Sequence, residues 1–226
     1  MNIIFIVIMV CVLFFAISVH EAAHAWAAYK MGDPTAYSMG RVTLNPIAHI
    51  DPIGTVIFPL IMILIGGIPF GWAKPVLVNP LNLKNPRTDN LWISAAGPVS
   101  NLTVAAISLI LIVFLKVLNP NVVYYLAAVI SNQGGVSRGF FPLGGLVIIL
   151  YFIAYINVLL AVFNLIPIPP LDGSGVLMGF LSEETAQKYE RIRPFGFLII
   201  LALVYLGFLR LIMRPFELII QIIIFS

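Results

Sequence analysis

His20-Glu21-Ala22-Ala23-His24 closes an apolar run that begins at Ile3 and carries no other charge. On a helix, residues four apart share a face. The two imidazoles can therefore grip one Zn²⁺, with Glu21 beside the metal's open position. Ionisable groups at membrane depth are costly, so a cluster there points to function before packing. The run is also long enough to cross a hydrocarbon core of about 30 Å. Trp26 and Tyr29 suit an interface, and Met31-Gly32-Asp33-Pro34 stops the helix. The basic leading region and cleavage site of a signal peptide are missing, so a retained transmembrane helix is expected. Ala22, Ala23, Ala25, Ala27 and Ala28 would let neighbouring helices approach it closely.

Of the 226 residues, 61% are hydrophobic and 9% are charged, and the mean hydropathy is +1.08. That composition excludes an ordinary soluble domain, because no polar stretch is long enough to form one. The net charge of +3 belongs to loops and gives no sign of nucleic-acid binding. Cys11 is the single cysteine, so neither an intramolecular disulfide nor a thiolate zinc cluster can form. Apolar runs near 3–29, 53–70, 92–117, 143–165 and 195–225 predict an all-α polytopic membrane bundle. A single domain over 1–226 is expected, with its core in 3–180 and C-terminal helices in 195–225. The run 53–70 is short and broken, with Pro59 inside it, Pro52 and Gly54 before it, and Gly66, Gly67 and Pro69 after. It is expected to be re-entrant, with a short β segment between Gly66 and Val78 that offers a substrate a strand edge. The last run, with Arg210, Arg214 and Pro215, reads as one span followed by a separate helix from Phe216. The charged stretch Glu183 to Arg193 reads as a solvated loop.

Two histidines need a third ligand. The only other histidine is His49, and Lys30 stands where an extended motif would place a third. The next glutamates after Glu21 are Glu183 and Glu184, in the charged stretch. Asp33, Asp51 and Asp89 sit in turns or polar loops. Asp172 alone ends an apolar helix, in Asn164-Leu-Ile-Pro-Ile-Pro-Pro-Leu-Asp172-Gly173. Three prolines there force the backbone to unwind, which is tolerated at membrane depth only inside protein or along a wet cavity. Asp172 is the expected third ligand and His49 its rival. Each has a structural alternative: Asp172 could cap the helix that follows, and His49 could fix a loop.

HEAAH in an apolar helix, Gly97-Pro98-Val99-Ser100-Asn101 and the Asn164-to-Gly173 segment together resemble the site-2 protease family of intramembrane zinc metalloproteases. The likeness extends to Gly40-Arg-Val-Thr-Leu-Asn-Pro-Ile-Ala-His49-Ile-Asp-Pro and Phe70-Gly-Trp-Ala-Lys-Pro-Val. The resemblance implies a metalloendopeptidase with one Zn²⁺ per chain and no other cofactor. Its partners would be the lipid bilayer and transmembrane protein or peptide substrates. It implies His20, His24 and Asp172 as ligands, Glu21 as general base, and Asn101 beside the substrate carbonyl or oxyanion; a helix–helix hydrogen bond is the alternative for Asn101. The PDZ and CBS-like domains of larger relatives are not expected. A metal transporter would show a path of polar positions or His-rich loops, and the chain has three histidines in all. An inactive binding relative would have no need of an acid at Glu21.

Topology can be argued from the same residues. The HEAAH motif and Asp172 meet only if their helix ends share a side, so one of the three intervening apolar runs must not cross. The broken run 53–70 is that one. Lys30, Arg41, Lys74, Lys84, Arg87, Lys188, Arg191 and Arg193 then lie on one side. Lys116, Arg138 and, if the last run spans, Arg210 and Arg214 lie on the other. The positive-inside rule puts the first group in the cytoplasm. The expected location is a prokaryotic cell membrane, with the N-terminus external and the site nearer the cytoplasmic face.

Overall fold

The absence of proline and glycine between Ile3 and Lys30 lets the first apolar run form one uninterrupted helix, α1 (Ile3–Lys30). In this computed structural model residues 3–64, 71–130 and 142–225 are described, and all regular structure among them is helical. Helix α1 ends where Gly32 takes φ 109° and Asp33 N–H turns back to the Ala28 carbonyl at 2.9 Å. Such a left-handed residue after the last turn satisfies carbonyls that the helix leaves open. A short α2 (Thr35–Ser38) and a 3₁₀ turn (Pro46–His49) follow.

Asp51 caps the next element, accepting from Ile53 N–H at 3.0 Å and Gly54 N–H at 2.6 Å. A π-helical turn (Pro52–Ile57) then leads into α3 (Phe58–Leu64). Seven helical residues rise about 10 Å, far less than a bilayer needs. Among the described residues the run 53–70 therefore forms no span. The expected β segment is not found among them either. Its first part, 66–70, lies outside the described residues, and 71–79 is irregular. Two backbone bonds tie that segment down, Trp72 N–H to Gly54 O at 3.1 Å and Lys74 N–H to His49 O at 2.9 Å. A 3₁₀ turn (Pro80–Asn82) closes it.

Helix α4 (Pro86–Leu118) has 33 residues, more than spanning requires, and starts with proline at its first position. The Gly97-Pro98 pair falls inside it. α5 (Asn121–Ile130), not anticipated from the sequence, packs on α6 (Pro142–Asn164). Arg138 lies outside the described residues. Pro167, Pro169 and Pro170 unwind the chain before α7 (Asp172–Phe180). The charged stretch is a helix and not a loop, α8 (Glu183–Glu190). Ser182 caps it, Glu183 and Glu184 sit in its first turn, and Lys188 pairs with Glu184 at 2.6 Å near its end. All three suit the helix dipole.

Helices α9 (Arg193–Tyr205) and α10 (Phe208–Phe225) are bent by 63° at a break where Gly207 takes φ 79°. The expected break at Pro215 is therefore misplaced, since Pro215 lies within α10. Helices α1, α4 and α6 are long and apolar enough to cross a membrane, and the bent pair would count as a fourth if it is one span. Helix α4 is the hub, packed against α1, α6 and α7. The main core joins Ile112 of α4, Val122 and Leu126 of α5, Val147 and Val158 of α6, and Met213, Ile220 and Ile224 of α10.

Candidate metal centre

Helix α1 presents His20 and His24 one turn apart toward α4 and the first residue of α7. Asp172 begins α7 eight residues beyond the end of α6, where the sequence reading had placed it at the end of an apolar helix. The cap position belongs to Leu171, and the Asp172 carboxylate turns instead to the histidines. Its Oδ2 lies 3.0 Å from His20 Nε2 and its Oδ1 3.3 Å from His24 Nε2. The two Nε2 atoms are 3.0 Å apart, and the ligand atoms of the three residues all lie within 4.8 Å of one another. A carboxylate in the first turn of α7 is also favoured by the helix dipole.

The far side of each ring decides what this cluster can bind. His20 Nδ1 donates to Asn101 Oδ1 at 2.6 Å, and His24 Nδ1 donates to the Ile93 carbonyl at 2.7 Å. With each proton placed on Nδ1, both Nε2 atoms turn lone pairs toward each other and toward a carboxylate. Asp172 Oδ2 is buried and has no hydrogen-bond donor. Such a set of facing lone pairs repels itself unless a cation sits among them. Two imidazole nitrogens and one carboxylate, leaving one position open, suit a tetrahedral Zn²⁺ of the catalytic kind. Gly97 provides the floor, since a Cβ there would come within 2.4 Å of His24 Nε2 and 2.7 Å of His20 Nε2.

Asn101 is fully buried, and its carboxamide is fully engaged. Besides holding His20, it donates to the Ala16 carbonyl at 3.1 Å and to Asn157 Oδ1 at 2.7 Å. These bonds link α1, α4 and α6, so the helix–helix alternative describes its contacts, and no amide proton is left over for a substrate. Asn157, which sequence reasoning passed over, bonds in turn to Ile153 O at 2.8 Å. An amide in the otherwise apolar middle of α6 was the available signal. His49 stands apart from the ligand cluster. It is buried, donates from Nε2 to Thr43 O at 2.9 Å, and fixes its loop.

Glu21 lines the same cavity as the two histidines and Asp172, a space of about 740 Å³ bounded on another side by Trp72 to Val78. Phe58, Trp72 and Phe197 cluster at its edge, with ring centres 5.2 to 6.4 Å apart. The Glu21 carboxylate has no hydrogen bond among the described residues, but Arg41 Nη2 lies 3.9 Å from its Oε2. Arg41, missed as a site residue, is nearly fully buried. It donates from Nη1 to Ala48 O at 2.7 Å and from Nη2 to Lys74 O. Burial holds its pKa below the ordinary value, against the raising effect of Glu21.

Residues 8–207 match Peptidase family M50. The chain is 37% identical over 195 residues to "Putative zinc metalloprotease YwhC" of Bacillus subtilis, an alignment covering 86% of this chain and 78% of that protein. It is 28% identical over 190 residues to "Putative zinc metalloprotease Rip2" of Mycolicibacterium smegmatis, covering 83% and 62%. The protein of the same name from Mycobacterium tuberculosis H37Rv is 28% identical over 188 residues, again covering 83% and 62%. The chain thus spans less than two thirds of the length of these mycobacterial relatives. No solved structure matches it.

Proposed function

The chain belongs to peptidase family M50, and from that premise we propose that it is a zinc-dependent endopeptidase cutting peptide bonds in or near the transmembrane segments of other proteins. The observation that carries this reading is the convergence of His20, His24 and Asp172, each facing the others with a lone pair, on a cavity that also holds Glu21. His20, His24 and Asp172 would hold the metal. Bound there, zinc supplies Lewis acidity, polarising a carbonyl and lowering the pKa of water from about 15.7 towards 7.

The chain's own residues do the rest. The Glu21 carboxylate takes a proton from the attacking water and returns it to the leaving amide nitrogen. Asn101 and the Ile93 carbonyl keep the two imidazoles in the tautomer that ligation needs. A helical substrate has its amides occupied and must unwind before it can be cut. The backbone N–H groups of Val76, Leu77 and Val78 make no hydrogen bond among the described residues and border the cavity, so an unwound strand can pair there. Leu77→Pro that left cleavage intact would remove this step.

Helix α1 reaches the site with its C-terminal half, and Lys30, Lys84 and Arg87 flank that end of the bundle. By the positive-inside rule that end faces the cytoplasm, and the N-terminus lies outside. The deciding experiment is zinc content in detergent-purified protein, wild type beside Asp172→Ala, together with cleavage by Glu21→Gln. About one zinc per chain, mostly lost in Asp172→Ala, is expected. Glu21→Gln should keep the metal and lose proteolysis. Zinc retained without Asp172 would break the three-residue site, and full cleavage by Glu21→Gln would end the assignment of the base.

A further inference from the structure

A guanidinium buried among helices needs a counter-charge, because carbonyl groups solvate it without neutralising it. The Arg41 side chain is 4% exposed. Two of its contacts are carbonyls, Ala48 O at 2.7 Å and Lys74 O, and its Nε is buried without a partner. The acid within 4 Å of it is Glu21, whose own side chain is 13% exposed. The Glu21 carboxylate in turn makes no hydrogen bond among the described residues. The two carbonyls pin the planar guanidinium in one orientation, and that orientation aims Nη2 at the Glu21 carboxylate.

We propose that Arg41 is the positioning residue for Glu21, fixing the direction from which that carboxylate reaches a substrate's proton-transfer atoms. The proposal rests on Glu21 acting as the base. The same guanidinium bonds the cavity wall through Lys74, so two roles could be confused, but the wall has other ties. Trp72 N–H is held by Gly54 O, Lys74 N–H by His49 O, and Asn79 N–H by the Asp33 carboxylate at 2.7 Å. Removing Arg41 therefore leaves the wall anchored and takes away the cationic side chain 3.9 Å from the Glu21 carboxylate. A carboxylate misplaced by about 1 Å can cost about a hundredfold in rate.

The test uses zinc-loaded, detergent-purified full chain and a quenched-fluorescence peptide of unstructured apolar sequence as the probe. Arg41→Gln is expected to lower kcat by about 10- to 100-fold with KM within about twofold and zinc content unchanged. Arg41→Lys, which keeps the charge and can keep one carbonyl bond, should fall between, and it carries the test if Arg41→Gln does not accumulate. Thermal midpoints supply a readout free of activity: Glu21→Gln should shift the midpoint less in the Arg41→Gln background than in the wild type. Unchanged kcat, a raised KM at constant kcat, or additive midpoints would each overturn the proposal. Coupled midpoints in a protein that cleaves nothing would leave the Arg41–Glu21 pair standing and remove the protease reading. Cleavage by the wild type with additive midpoints would do the reverse.

Discussion

A methyl group on residue 97 would sit 2.4 Å from His24 Nε2 and 2.6 Å from His20 Cε1. Gly97→Ala is therefore expected to push both imidazoles off their positions and lower zinc affinity by about tenfold or more, read by competition with a chelator. Affinity equal to wild type would mean that α1 and α4 can separate at no cost. Asp33 gives a second prediction. Burial opposes its ionisation, but Asn82, Thr35 and the Asn79 and Thr35 amides outweigh that and hold its pKa below the usual carboxylate value. A depressed pKa contributes stability at neutral pH, and that stability is lost as the pH falls from about 4 through the folded-state value. Asp33→Asn should lower the thermal midpoint at pH 7 and lose this part of the acid-induced fall; equal acid limbs would refute it. The meeting of His20 and His24 was legible because helical spacing encodes a shared face, and Glu21 was singled out by the HEAAH motif that holds them. Asp172 was reached by eliminating other carboxylates. Arg41 was not legible, because its partners are backbone carbonyls of residues 48 and 74, which leave no mark in side-chain sequence. Asn157 depends on a neighbour 56 positions away.

Among the helices, the apolar runs were visible, but their ends were not. Helix α4 begins at Pro86, ahead of the apolar run near 92, because its first turns are polar and only the Asn85-Pro86 start signal marks them. Helix α8 was hidden for the same reason: its signature is capping and charge order, with no apolar stripe. The break in the C-terminal pair was assigned to Pro215, yet a helix can lose one hydrogen bond at proline and continue. A left-handed residue turns the axis, and Gly207 is that residue. Gly207→Ala places a side chain at φ 79°, which costs about 1–2 kcal/mol, so a lower thermal midpoint with active-site zinc retained is expected. A midpoint at or above the wild type would show that α9 and α10 can join without strain.

At the scale of the molecule, the helical bundle and its candidate spans followed from hydropathy, while the irregular 71–79 segment did not, since the lack of a strand partner there among the described residues is a property of the whole fold. Sidedness has a direct test in cells. With Cys11→Ser as background, Lys188→Cys should react with a membrane-impermeant thiol reagent only when the cytoplasmic face is exposed; labelling from outside would invert the topology. Helix α4 also shows where along the bundle the cluster stands. From Gly97 to Leu118 the helix rises about 32 Å, about a hydrocarbon thickness, so the metal cluster stands at one end of the apolar length of α4 and not halfway along it. Cutting a peptide bond creates an ammonium and a carboxylate where there was neither. At the midplane each new charge would be stranded at a cost of several kcal/mol. On the proposed function, a site at one end of that apolar length would let both fresh termini form closer to headgroups and water, so that each half of a severed span would leave with its charged end nearer to hydration.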